Sequence, residues 1–221
     1  MRIIELGITP YEEALKVQTE VLEKRISGDA EDTLILVEHS PVVTLGRLDG
    51  ESNISDKRYF EDCGIPVFRS GRGGKTTFHA PGQLVLYPII DLEKRKKDIA
   101  FYIDFLEKTV ACSLKVLGVG AYRKKGVRGV WADFKKIAFT GIAVKRWVTY
   151  HGVAVNINND TEGFRHIHPC GDSTISVTSA KEVLARALDM DKVRSIFARQ
   201  FQSDLEIEYS YATKAGAEVG A

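Results

Sequence analysis

Cysteine is scarce in this chain: three in 221 residues, an odd number with no framework spacing. That excludes a secreted fold stapled by paired disulfides and fits free thiols in a reducing cytoplasm. A charge excess is missing too, because 31 basic residues stand against 30 acidic ones spread along the chain. Nucleic-acid binding by phosphate neutralisation ordinarily brings a basic surplus, so composition gives that class no support. No uncharged run approaches the ~20 residues needed to span a bilayer. The opening MRIIELGITPYEEA has neither the apolar core nor the small-residue cleavage site of a secretory leader, so a cytoplasmic protein without a membrane partner is expected. What is present is apolar material, 44% of the residues, enough for one sizeable domain. Neither a repeat nor a linker-like composition shift divides it.

The order of elements reads as mixed α/β. Thr9-Pro10-Tyr11-Glu12 predicts a capping-box helix start, with Ala14, Val17, Val21 and Leu22 at helical spacing as far as Gly28. TLILVEH (33–39) and VVTLG (42–46) predict strands on either side of Ser40-Pro41. PVFRS (66–70) leads into a glycine cluster, and QLVLYPIIDL (83–92) resumes as a strand. The segment 98–118 has helical periodicity with Asp98 as its cap. KIAFTGIAVKR (136–146) and VTYHGVAVNIN (148–158) predict an antiparallel hairpin turning at Arg146-Trp147. Thr178 or Ser179 can cap a helix over 180–189, and Asp191 another over 192–202. DLEIEYS (204–210) predicts a final strand, and the tail from about 213 is expected to fray.

Two stretches carry unusual chemistry. RSGRGGKTTFHAPGQL (69–84) holds glycines at 71, 73 and 74, which let backbone approach a ligand and aim amides at it. A Walker loop would need glycine at Arg69, and a dinucleotide fingerprint would need it at Thr76, so neither nucleotide reading survives. A plain surface turn is the bland alternative. Arg72, His79 and Gln83 argue against it, since a turn needs no cation, imidazole and amide in so short a span. The second stretch is HPCGDSTISVT (168–178). Cys112 lies in an apolar helix, as a packed thiol would, whereas Cys170 stands between proline and glycine, as a presented thiol would.

Cys170 could be filler, metal ligand or nucleophile. His166, His168 and Cys170 would share one strand face and leave a zinc position open, but Pro169 breaks the alternation and no partner motif exists elsewhere. A nucleophilic thiol needs a nearby cation or base. His79, His151, His168 and the pair Lys135-Lys136 are the candidates. Lys136 heads an apolar strand, where desolvation helps an ammonium exchange its proton. A solvated strand-end charge is the ordinary alternative.

In combination, EHSPVVTLGR (38–47), GRGGKTTFHAPGQLVLYPIIDL (71–92), KIAFTGIAVKRWVTYHGVAVNIN (136–158) and HPCG (168–171) resemble the octanoyltransferase family of the biotin/lipoate protein ligase-like fold. The likeness implies one catalytic domain over 1–212, with a mixed, largely antiparallel sheet flanked by helices. It implies octanoyl transfer from acyl carrier protein to a lysine on lipoyl domains, those of 2-oxoacid dehydrogenase E2 subunits and of the glycine cleavage H protein. Neither ATP nor another cofactor is implied, and no metal. By position it makes Cys170 the nucleophile and Lys136 its acid–base partner. Substrate contact falls on Arg72, Gly73, Gly74, Lys75, Thr76, Thr77, Phe78 and His79, on Phe139, Thr140 and Gly141, and on Gly152, Val153 and Ala154. Gly141, Gly152 and Ala154 are expected to leave room for an eight-carbon chain. Two departures stand out: Phe78 where the family usually has Tyr, and Ala80 where it usually has Gly.

Three rivals remain beside that reading. An ATP-dependent lipoate- or biotin-protein ligase of similar fold needs no cysteine nucleophile, and a silent acyl-chain or carrier-protein binder needs neither Cys170 nor Lys136. A Cys–His hydrolase would be marked by activity with water in place of an amine.

Overall fold

The structure is a computed structural model that describes residues 1–47 and 49–218, with residues 209–218 as backbone only. β1 (Arg2–Thr9) escapes the sequence reading because a bulge between Glu5 and Ile8, with Gly7 at φ +63°, breaks its alternation. α1 (Tyr11–Ser27) buries Ala14 and Leu22 as expected and ends at Gly28, whose φ of +89° supplies the left-handed cap. The capping box does not form. Pro10 itself occupies the cap position, and the Thr9 hydroxyl donates to the Leu6 carbonyl instead.

β2 (Thr33–His39) and β3 (Val42–Leu45) are buried throughout. After α2 (Lys57–Asp62) come β4 (Val67–Arg69), β5 (Thr77–His79) and β6 (Gln83–Ile89). α3 (Ile99–Val116) starts as expected, the Asp98 carboxylate accepting from the Phe101 amide at 2.9 Å. β7 (Tyr122–Lys124) and β8 (Val127–Ala132) precede the hairpin of β9 (Lys135–Lys145) and β10 (Val148–Asn156). Arg146 and Trp147, at φ +49° and +62°, make its two-residue turn.

The large sheet runs β1-β2-β6-β10-β9-β8-β7 and a small one runs β4-β3-β5. Among the described strand pairs β1–β2 and β3–β4 are parallel and the others antiparallel, so the sheets are mixed and largely antiparallel, as expected. α3 and the last helix cover one face, over Leu36, Leu86 and Val153. α1 covers the other, over Ile35, Val85 and Ala154. A third cluster, with Val43, Phe60, Phe78, Phe139 and Phe164, fills the space beneath the small sheet.

The C-terminal third corrects the sequence reading. α4 (Ala180–Leu184) is capped by Ser179 but stops at Ala185, which turns left-handed at φ +52°. α5 begins before Asp191, and the Asp189 carboxylate takes the Asp191 and Lys192 amides. It continues as one helix, Met190–Glu218, so 204–210 is no strand. Val193, Phe197, Phe201 and Leu205 are buried at four-residue steps, and Phe201 packs edge-on against Phe105 of α3. Each such side chain contributes about 2 kcal/mol of burial, against which the β propensity of a few residues is minor. Of the tail expected to fray, 219–221 lie outside the described residues.

Candidate active site

Cys170 sits on a strap that crosses the end of β9. The strap is built from 3-10 turns at Glu162–His166 and Pro169–Gly171 rather than from a strand. His166, His168 and Cys170 therefore share no strand face. His166 instead stacks on Tyr59 at 3.6 Å and faces Asp56 and Glu162. Cys170 has φ +58° and Gly171 φ +73°, a left-handed pair that turns the thiol outward from the strap.

Backbone bonds fix this strap on both sides. The His168 amide donates to the Asn53 carbonyl and the Ser55 amide to the His166 carbonyl. Further on, the Lys136 amide donates to Ser176 O at 2.8 Å, and the Thr178 amide to Lys136 O at 3.0 Å. Lys136 is thus bound by its own backbone to the segment that carries the cysteine. Across that junction its Nζ donates to Cys170 Sγ at 3.1 Å.

A bulge aims the lysine. Val130 pairs with Ala138 but Trp131 pairs with Lys136, so one residue of β9 is unmatched. Simple alternation would put Lys136 on the face of Ala138. The extra residue turns it to the face of Phe139, whose ring centroid lies 5.1 Å from Nζ, with Trp131 at 5.7 Å. Lys136 is 3% exposed and no carboxylate pairs with it among the described residues. This buried amine, set between two rings, thus has the Cys170 sulfur as its side-chain hydrogen-bond partner.

Beyond Cys170 a cavity opens between the glycine loop and the β6–β10–β9 face. Arg72, Gly74, Lys75, Thr76, Thr77 and His79 border it on the loop side. Phe139, Thr140, Gly141, Gly152, Val153 and Ala154 border it on the sheet side, with Cys170 at its rim. Fourteen residues were expected to touch substrate, and only Gly73 and Phe78 stay off this wall. A Cβ at Gly73 would lie 3.1 Å from the Ile142 carbonyl, whose oxygen the Gly73 amide also binds. The Phe78 ring packs on Phe60 and Phe164 in apolar surroundings, where a tyrosine hydroxyl is not needed, and Ala80 belongs to the same cluster.

The glycines do not act by leaving room. A Cβ on Gly152 would meet the Leu86 carbonyl at 2.1 Å, and one on Gly141 would meet Gly73 O at 2.8 Å. They permit close backbone approach. The enclosed space is about 50 Å³, far below the ~300–1,000 Å³ usual for a ligand pocket. On the loop side Gly71, Gly74 and Lys75 are exposed, while the Lys75 carbonyl accepts from Arg72 at 2.7 Å.

Arg72 puts a buried charge on the cavity wall. Its guanidinium is buried, yet it donates only to neutral acceptors: the Thr44 hydroxyl and carbonyl, Gly73 O and Lys75 O. Burial pulls its pKa down, and its charge in turn helps to hold the neighbouring imidazoles neutral. His79 is the clearest case. Burial drives its pKa well below the ordinary value, Nδ1 donates to Gln83 Oε1 at 2.6 Å, and Nε2 lies 3.2 Å from the Thr44 hydroxyl. It braces the loop. Burial and Arg72 push His151 down to about 3. Neither histidine contacts Cys170; Lys136 does.

With this geometry in hand, comparison with known proteins decides the family. The sequence profile of the lipoyl protein ligase A/B catalytic domain matches residues 10–202. The chain belongs to that family. Its curated relatives include the octanoyltransferase of Syntrophotalea carbinolica, 39% identical over 93% of this chain and 95% of that one. The octanoyltransferase of Nitratidesulfovibrio vulgaris is 42% identical over 91% and 93% of the two chains. As a member of this group the chain is an acyltransferase. Among solved structures, a bi-partite lipoate protein ligase from Thermoplasma acidophilum shares the fold, with a TM-score of 0.70 and 19% identity over 93% of this chain and 83% of that one. Biotin protein ligase from Aquifex aeolicus shares it at a TM-score of 0.60 and 12% identity, covering 95% and 72%.

Several parts of this lipoyl-ligase-family site escape sequence reasoning. Tyr11, Val85 and Tyr87 complete the cavity wall, and nothing local marks them apart from core residues. Gly129 is another: at φ +103°, a Cβ there would stand 2.4 Å from Lys136 Cε. A glycine inside VRGVWA is a signal of close approach, although it does not say to what.

Proposed function

We propose that the octanoyl transfer this chain performs in protein lipoylation runs through a thioester on Cys170. The observation that carries the reading is the 3.1 Å contact between Lys136 Nζ and Cys170 Sγ, with the amine buried and without a carboxylate partner among the described residues. The thiolate attacks the carbonyl carbon of an octanoyl thioester, the bond to the donor sulfur breaks, and Lys136 gives that sulfur its proton. Neutral Lys136 then takes a proton from the acceptor amine as it attacks, and the cysteine leaves as thiolate. A thioester already holds the free energy needed to make an amide, so ATP has no part. We take the donor to be octanoyl-acyl carrier protein. The acceptors are lipoyl domains of 2-oxoacid dehydrogenase E2 subunits and of the glycine cleavage H protein. Three unpaired cysteines support a reducing, cytoplasmic setting for this reaction.

Intact-mass measurement tests this directly. Octanoyl-carrier protein without ATP should add one hydroxylamine-labile octanoyl group, which Cys170→Ser abolishes while Cys63→Ser and Cys112→Ser keep it. An adduct on either of those two thiols, or efficient product from free octanoate and ATP, would sink the mechanism.

A further inference from the structure

Cys170 separates two spaces. Behind it lies the cavity at Arg72. Ahead of it lies a groove of about 570 Å³ lined by Pro169, Lys135, Arg165, His168 and the serines 173 and 176. The partition is thin: Pro169 faces the groove and Cys170 the cavity, while Phe164 of the groove stacks on Phe139 of the cavity at 4.9 Å. Lys135 and Lys136 divide in the same way, the first to the groove and the second to the sulfur.

A thioester seated on Cys170 has two ends. With the alkyl chain in the apolar cavity, the donor sulfur and whatever it is attached to must leave on the other side. We propose that this groove holds the phosphopantetheine arm of the acyl donor, with Lys135 and Arg165 facing its phosphate. The proposal rests on the thioester-transfer reading above. The charges fit an anion. Lys135 has no carboxylate partner among the described residues, and Arg165 is held loosely by Glu162 at 3.3 Å on an exposed surface. Glu182, the carboxylate that lines the groove, is already engaged by the hydroxyls of Thr161 and Thr178. The serine hydroxyls and the His168 ring add donors for a phosphodiester. An acceptor lysine arriving by the same route would bring a further ammonium among these cations, which is why the groove is assigned to the donor.

The test compares octanoyl-4′-phosphopantetheine with octanoyl-pantetheine, which differ only in the phosphate. For the native enzyme, kcat/KM should favour the phosphorylated donor about tenfold, the scale of two partly screened charge contacts. Lys135→Gln with Arg165→Gln should bring that ratio close to one, and Ser173→Glu, which puts a carboxylate into the groove, should do the same. A variant that merely folds badly lowers both rates and leaves the ratio intact, so an unchanged ratio overturns the assignment. A ratio near one in the native enzyme does so as well. Octanoyl-coenzyme A and octanoyl-carrier protein share the arm, and the double variant should slow both. A loss confined to the carrier protein would make Lys135 and Arg165 a protein-docking contact and overturn the arm assignment. Absence of transfer from all four donors is a different failure, that of the thioester reading itself.

Discussion

The lysine of the proposed catalytic pair is placed by a glycine. Gly129 sits in β8 against Lys136 of β9, its amide donates to the buried Glu107 carboxylate at 2.7 Å, and its φ of +103° favours glycine. Burial raises the Glu107 carboxyl above its usual range, although the Gly129 amide and Arg128 oppose that. Gly129→Ala puts a Cβ 2.4 Å from Lys136 Cε and 2.6 Å from the Ala138 carbonyl. The amine should then move off the sulfur, and a misplacement of this kind costs on the order of 10²-fold in rate. Transfer kinetics measured beside circular dichroism check it, and near-native turnover in a folded Gly129→Ala protein would show that Lys136 is held by something else. Cys170 and Lys136 were legible as types in special settings and as positions in a family pattern. Gly129 was not, because its partner depends on a bulge that no residue type announces.

At the scale of elements, strands with clear alternation and helices with caps could be read from the residues, as β2, β6, the β9–β10 hairpin and α3 show. Failure came where two periodicities overlap. Leu205 and Ile207 alternate with Glu206 and Glu208, as a half-buried strand would, yet in α5 they point to different sides: Leu205 is 2% exposed and Ile207 50%. A short alternating run cannot outweigh a helix already committed by Val193, Phe197 and Phe201 upstream. Chemical denaturation separates the two readings. Leu205→Ala should cost about 2–4 kcal/mol and Ile207→Ala less than about 0.5 kcal/mol. Equal costs would return the pair to one strand face. The strap at 160–179 was equally hard to read, because its shape is set by bonds to Asn53, Ser55 and Lys136, distant in sequence, rather than by its own pattern.

Taken whole, the molecule keeps several imidazoles neutral in its interior. Burial lowers His39 to about 4, and burial with Arg72 lowers His151 to about 3. In the unfolded chain both titrate near ~6.5. Their contribution is therefore complete above that pH and is lost as pH falls from there toward about 4 for His39 and about 3 for His151. At pH 5 each takes away about 2 kcal/mol, and together they should lower Tm by about 10 °C relative to pH 7. Calorimetry at pH 7, 6 and 5 measures this, and a flat Tm across that range would contradict the burial of these rings. Composition alone spoke against a disulfide scaffold and gave nucleic-acid binding no support, but it could not say that the histidines would lie in the core. That depended on α1, β2, β6 and the small sheet closing around them.

The left-handed turn at Cys170 also bears on which substitutions the site can explore. At φ +58° a β-branched side chain is a steric outlier. Threonine is thereby barred from the proposed nucleophile position by the shape of the chain, before its reactivity enters. Serine fits the backbone but is a poorer nucleophile at neutral pH. At this turn cysteine joins a side chain that the backbone accepts to the reactivity that the proposed transfer needs.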